Sequence, residues 1–116
     1  MPLVLCGQKY NRFDAYNDRQ IAELKVRKQD YNKTLIEFDK YSYNTTYARF
    51  FGYEFLYIVG TKRGIHVFNI TDLDISNYDY RWEWREMPSN TEFGNGELMK
   101  KLVGYIDWGM GCLEAV

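Results

Sequence analysis

The residues from Glu54 to Ile70, EFLYIVGTKRGIHVFNI, carry the clearest structural signal in the chain. Two runs rich in β-branched and aromatic residues, Glu54 to Val59 and Ile65 to Ile70, flank the connection GTKRG at residues 60–64. Runs of this composition joined by a short glycine-containing connection are typical of a β-hairpin. Its glycines permit the positive φ angles that such a turn requires. The sequence therefore predicts a central hairpin with a cationic tip.

The segment before the hairpin has the spacing of an amphipathic helix. Asp14 or Asn17 can cap such a helix, which would run to about Tyr41. Its apolar residues fall three, seven, four and three positions apart, with Lys28 as the one exception on the stripe: Ile21, Leu24, Tyr31, Leu35 and Phe38. The other face is charged, with Arg19, Glu23, Arg27, Lys33 and Glu37. We therefore predict a long N-terminal helix that is docked on one side and solvated on the other.

The segment after the hairpin predicts smaller elements. Residues 72–80 and 88–96 have loop composition, and residues 80–85 alternate aromatic and charged side chains as a half-covered strand does. Residues 97–108 place Leu98, Leu102, Tyr105 and Ile106 on one helical side, and glycines follow as stop signals. The expected fold class is α+β in a single small domain, residues 1–116: a long N-terminal helix, a central β-hairpin, a candidate third strand and a short C-terminal helix.

Composition favours a contact surface over a catalytic site. Eleven Tyr, seven Phe and three Trp make up 18% of the chain, and tyrosine is frequent at interfaces. Codon bias in an A+T-rich genome is an equally good reading of the same excess. The net charge of −1 combines eleven Lys and Arg against seven Asp and Glu in residues 1–70 with four against nine in residues 71–116. This asymmetry allows one side to face RNA and the other to face protein.

Catalytic and metal-binding patterns are missing from the sequence. The single histidine, His66, lies in a strand-like run without a nucleophile pattern nearby, and Cys6 and Cys112 stand at opposite ends of the chain. No apolar run is long enough to span a bilayer. We therefore expect no catalytic residue, no metal, no cofactor, no small-molecule substrate and no membrane insertion, which describes a chain that is not an enzyme.

Two groups of residues are candidates for contacts with partners. Lys62 and Arg63 at the hairpin tip suit a phosphate backbone, and Arg49 and Tyr47, just upstream, can extend that RNA-binding patch, although a solvated turn is the common alternative for such a pair. Aromatic residues Tyr80, Trp82 and Trp84 form a candidate protein interface, since neighbouring Glu83 and Glu86 repel phosphate.

The stretch from Tyr57 to Ile70 resembles the hairpin of the ribosomal small-subunit protein family S-two. The matching positions are Tyr57, Ile58, Gly60, Gly64, Ile65, His66 and Asn69, with Lys62 and Arg63 as the basic tip, in about 14 of 116 residues. The resemblance implies a reduced or diverged organellar member that binds ribosomal RNA and neighbouring ribosomal proteins, with Lys62, Arg63 and His66 at the RNA. It also implies the mitochondrial matrix.

Two functions follow as expectations. The first is a structural constituent of the mitochondrial small ribosomal subunit, acting in translation as part of a ribonucleoprotein. The alternative is a non-catalytic accessory subunit of another organellar assembly, such as a respiratory complex or ATP synthase, held by aromatic protein–protein interfaces.

Overall fold

The computed structural model describes residues 2–6, 13–27, 32–88 and 98–114. Within these ranges the chain forms two β-sheets and two α-helices. In chain order the elements are β1 Val4–Leu5, β2 Ala15–Tyr16, β3 Gln20–Val26, β4 Lys33–Glu37, α1 Phe38–Phe51, β5 Glu54–Thr61, β6 Gly64–Asn69, α2 Ile70–Ile75, β7 Glu83–Pro88, β8 Leu98–Asp107, a 3₁₀ turn Trp108–Met110 and β9 Cys112–Glu114.

The larger sheet has the strand order β1-β2-β3-β5-β6-β9. Strands β3 and β5 run parallel over seven residue pairs, from Gln20–Glu54 to Val26–Gly60, whereas the other neighbours are antiparallel. Parallel neighbours need a crossover connection, because the chain must return to the same end of the sheet. That connection contains β4 and α1, so α1 lies over one face of β3 and β5.

The predicted N-terminal helix is wrong, because residues 14–37 form strands. Asn17 does carry a capping signal, since its Oδ1 accepts the N–H groups of Arg19 and Gln20 at 2.8 Å each. The same local bonds that begin a helix here close the turn between β2 and β3. Side chains on both faces of β3 are buried, namely Ile21, Ala22 and Glu23, as expected of an inner strand. Lys28 and Tyr31 of the predicted stripe lie outside the described residues.

The expected hairpin strands are present as β5 and β6, paired from Leu56–Asn69 to Thr61–Gly64. They are inner strands of a six-stranded sheet rather than an isolated pair, so the predicted architecture around them is wrong. Asn69 ends β6 and caps α2, where its Oδ1 accepts the N–H of Asp72 at 3.1 Å.

The predicted C-terminal helix is also wrong, because its residues form β8, the central strand of a second sheet with the order β4-β8-β7. Gly104 explains the difference. A Cβ at this position would lie 2.8 Å from Cζ3 of Trp82 and 2.9 Å from Cβ of Tyr80, so the bare backbone lets both aromatic side chains pack against β8. The candidate third strand begins later than expected, at Glu83. The loop predicted at residues 88–96 lies almost entirely outside the described residues.

The core lies mainly between the larger sheet, α1 and the second sheet. Phe55, Phe68, Ile36 and Ile106 are fully buried there. A smaller cluster of Ala15, Ala22 and Leu56 covers the opposite face of the larger sheet.

Replacing Gly104 by Ala is expected to cost about 1–3 kcal/mol, because the added methyl group must displace Trp82 and Tyr80. The free energy of urea unfolding measures the loss. Gly109→Ala is the control, since a Cβ at Gly109 meets nothing within 4 Å. Equal stability of the two variants would contradict the packing described for β8.

Candidate active site

Two carboxylates and a lysine lie together where β2 meets β3. Strand β2 pairs with β3 through Ala15–Ala22 and Tyr16–Ile21, and Asp14, the residue just before β2, lies close enough to Glu23 for their charges to interact. The backbone holds this position, because the N–H of Asp14 donates to Ala22 O at 2.8 Å and the N–H of Leu24 donates to Asp14 Oδ2 at 2.9 Å. Lys25 follows Glu23 by two residues and therefore lies on the same face of β3.

Glu23 is a buried carboxylate with one unpartnered oxygen. Its exposed fraction is only 8%, and Oε2 has no hydrogen-bond partner among the residues that the structure describes. Burial raises the pKa of Glu23 to about 7, and the negative charge of Asp14 adds to the rise, while Lys40 and Lys25 oppose it. Burying an unsatisfied carboxylate costs free energy, so this oxygen is suited to a positively charged ligand.

A cavity of about 140 Å³ opens beside Glu23 and is lined by three cationic side chains, Lys25, Arg27 and Lys40. Lys40 reaches in from the first turn of α1, and its Nζ lies 3.7 Å from Glu23 Oε1. Arg27 donates through Nη2 to Leu35 O at 2.9 Å and to the Tyr57 hydroxyl at 3.4 Å, whereas its buried Nε has no partner. The cavity therefore combines acidic groups with an excess of hydrogen-bond donors.

These residues fit a divalent cation that keeps part of its water shell. Within the described ranges, no group of three or more His, Cys, Asp or Glu side chains is placed to enclose a metal ion. Mg²⁺, however, is usually held by one or two carboxylates, several waters and phosphate oxygens of the substrate. The carboxylates of Asp14 and Glu23 meet that requirement, since the buried Oε2 of Glu23 accepts no hydrogen bond from the described residues.

The predicted RNA-binding residues lie away from this pair of carboxylates. Lys62 and Arg63 form the exposed two-residue turn between β5 and β6. His66 is only 7% exposed, its Nε2 lies 3.1 Å from Thr61 Oγ1, and its ring packs against Trp108. Arg49, in the last turn of α1, forms a 3.7 Å ion pair with Asp74 of α2. The structure thus does not bring the four residues together into one surface, and their contact with nucleic acid stays a prediction.

The predicted aromatic interface is mostly interior. Tyr80 is 4% exposed and donates to Asp74 Oδ1 at 2.9 Å, and Trp82 packs against Phe38, Tyr41 and Tyr80. Trp84 is the member that faces outward, with 69% of its surface exposed. Whether Trp84 meets a protein partner stays a prediction.

Sequence reasoning missed Asp14, Glu23 and Lys25 because it assigned them to a helix. On a helix, Glu23 and Lys25 point in different directions, whereas on a strand they share a face. The signal that could have found them is the turn at Asn17-Asp18 followed by the apolar pair Ile21-Ala22, which is typical of a strand that enters a core.

No protein-family model matches the sequence, and no curated protein sequence matches it either. The fold is similar to that of the Holliday junction resolvase Hjc from the archaeal hyperthermophile Archaeoglobus fulgidus. The two structures superpose with a TM-score of 0.55 at 18% sequence identity, over 97% of this chain and 83% of the resolvase. The chain therefore shares the fold of this resolvase.

This likeness overturns the ribosomal interpretation. The Tyr57–Ile70 hairpin belongs to a resolvase-like sheet and not to the S-two family, so a small-subunit role in translation, ribosomal RNA and ribosomal proteins as partners are contradicted. No observation supports an accessory subunit of a respiratory complex or ATP synthase. The expectation of a non-enzyme is also contradicted, since the fold is shared with a Holliday junction resolvase. The mitochondrial matrix stays an untested prediction.

Neither helix in the described part of the chain is long and apolar enough to cross a membrane.

The pKa of Glu23 predicts a stability that falls as pH rises. Its folded-state pKa of about 7 lies above the ordinary value of 4.5. Between these values the unfolded chain releases the proton and the folded chain keeps it, so the folded state loses stability through this window. Thermal unfolding in chelator from pH 4.5 to 8.5 measures the effect. Glu23→Gln should flatten the slope, whereas Glu86→Gln, at an exposed position, should leave it unchanged. Parallel pH profiles of Glu23→Gln and the wild type would contradict the burial of this charge.

Proposed function

We propose that this protein is a nuclease that hydrolyses phosphodiester bonds in DNA with a divalent cation, and that Asp14, Glu23 and Lys25 are its catalytic residues. The observation that carries the proposal is the buried Oε2 of Glu23, which has no partner among the described residues and lies near Asp14, just before β2, and Lys25, on the same face of β3. The fold shared with a Holliday junction resolvase supports it.

The chain's own residues account for binding and for charge stabilisation. Asp14 and Glu23 would hold the cation, because carboxylate oxygens are the ligands that Mg²⁺ prefers. When bound, the ion neutralises the charge of the scissile phosphate and lowers the pKa of a water molecule. Lys25 has three donor hydrogens and a full positive charge, so it can hold a phosphate oxygen and stabilise negative charge that develops in the transition state.

Asp14 is exposed, so the pair of carboxylates is open to a large substrate on that side, while Glu23 lies deeper. The net charge of the chain is only −1. Binding of DNA by charge alone should therefore be weak and sensitive to salt. A four-way DNA junction is the first substrate to test, because the resolvase of similar fold is named for it.

The test is cleavage of labelled four-way junction, linear duplex and single-stranded DNA with Mg²⁺ or Mn²⁺. The wild-type chain should cut at least one of these DNAs, and chelator should abolish the cleavage. Asp14→Asn, Glu23→Gln and Lys25→Ala should each lower the rate at least about 100-fold, as is usual when one charged group is removed from a transition state.

Asp18→Asn is the matched control, because Asp18 is an exposed carboxylate in the turn between β2 and β3 and, unlike Asp14, is not among the charges that shift the pKa of Glu23. It should cleave at the wild-type rate. Undiminished cleavage by Glu23→Gln, or a wild-type chain that leaves all three DNAs intact with both metals, would show that the proposed function is wrong.

A further inference from the structure

The ammonium group of Lys40 and a divalent cation would compete for the same carboxylate, that of Glu23. Its Nζ lies 3.7 Å from Oε1 of Glu23, and the other oxygen of that carboxylate has no partner. Glu23 is 90% buried at the level of its side chain, whereas 39% of the Lys40 side chain is exposed. The carboxylate is therefore held by its surroundings, while the ammonium group has room to move.

The base of Lys40 is anchored although its tip is not. The fully buried Asn44, four residues later in the same helix, donates through Nδ2 to Lys40 O at 2.9 Å, and this bond reinforces the backbone of the first turn of α1. A long side chain on a fixed backbone can exchange one charged partner for another within the reach of its four methylene groups. The cavity at its tip contains Lys25 and Arg27, with the Arg27 Nε buried and unpartnered. The carboxylates that line the same cavity, Glu23 and Glu37, cannot balance this positive charge once Glu23 binds a dication.

We propose that Lys40 has two partners in turn: the Glu23 carboxylate in the cation-free protein and, when Glu23 is engaged by a divalent cation, a phosphate oxygen of the DNA. This inference rests on the proposed function. Before a cation binds, the positive charge of Lys40 lowers the free-energy cost of burying the negative charge of Glu23. It thereby favours the ionised carboxylate, which is the form that binds a cation. Afterwards the like charges of Lys40 and the cation repel. Because Glu37, the other carboxylate that lines the cavity, is paired with Lys101 at 2.7 Å, Lys40 turns to the phosphate backbone of the substrate.

The first readout needs no nuclease activity. Binding of Mg²⁺ to the DNA-free protein is measured by isothermal titration calorimetry at pH 8.5, where protons no longer compete for Glu23. Lys40→Met should bind Mg²⁺ at least about threefold more tightly than the wild type, because the competing ammonium is gone.

The second readout is binding of a labelled four-way DNA junction with Ca²⁺, by fluorescence anisotropy. Lys40→Met should bind the junction at least about threefold more weakly, and Lys40→Arg should restore binding.

Lys33→Met is the matched control. Lys33 has the same 39% side-chain exposure and the same 3.7 Å ion-pair distance, but its partner is Asp107. It should change neither readout. If Lys40→Met does not fold, as judged by circular dichroism, Lys40→Gln takes its place.

Opposite changes in the two affinities support the proposal. Unchanged or weaker Mg²⁺ binding by Lys40→Met overturns it, and so does junction binding equal to that of the wild type. Failure of this inference is distinguishable from failure of the proposed function. In the first case the wild type binds Mg²⁺ and cleaves DNA but Lys40→Met behaves like Lys33→Met, whereas in the second the wild type neither binds the ion nor cleaves.

Discussion

The parallel pairing of β3 with β5 is the constraint on which the rest of the structure depends. Both strands have hydrogen-bonded neighbours on each side, so their backbone groups are satisfied only inside the sheet. Because the chain must cross over the sheet between them, α1 covers the face that carries Glu23 and Lys25. The crossover also contains β4, which is an edge strand of the second sheet. Through its pairing with β8, β4 connects that sheet to the crossover. One pairing thus determines the layers, the core and the surroundings of the carboxylates.

The burial of Glu23 is a cost that the fold does not offset by itself. Tyr57, its neighbour on β5, is buried and donates its hydroxyl hydrogen to Leu35 O at 2.9 Å rather than to Glu23. Lys40 lies near one carboxylate oxygen and leaves the other bare. By contrast, the buried polar group at Asp74 is well satisfied, since Oδ1 accepts from the hydroxyls of Tyr41 and Tyr80. A buried carboxylate with an unsatisfied oxygen, such as Glu23, is typical of a binding site. A carboxylate with its hydrogen bonds made, such as Asp74, is typical of a structural contact, here between α1, α2 and the chain before β7.

The residues that sequence reasoning placed correctly are those whose structure is local. The hairpin strands β5 and β6 and the exposed turn of Lys62 and Arg63 follow from neighbouring residues alone. The N-terminal segment is wrongly predicted as a helix because its apolar spacing fits a helical stripe as well as a strand buried on both faces. Periodicity cannot separate these alternatives for a short apolar run, since a strand with two covered faces has no alternation. Gly104 in the middle of a supposed helix was a contrary signal, because glycine weakens a helix interior.

By itself, the sequence determined a small globular chain with a central hairpin, a cationic turn and an excess of aromatic residues. It also contains Asp14, Glu23 and Lys25, but nothing in their spacing shows that they face one another. Only the tertiary structure decided that, because the approach of Asp14 to Glu23 depends on the pairing of β2 with β3, and the burial of Glu23 depends on a helix that begins fifteen residues later at Phe38. Contacts between distant segments are set by the packing of the whole sheet, and local pattern does not contain that information.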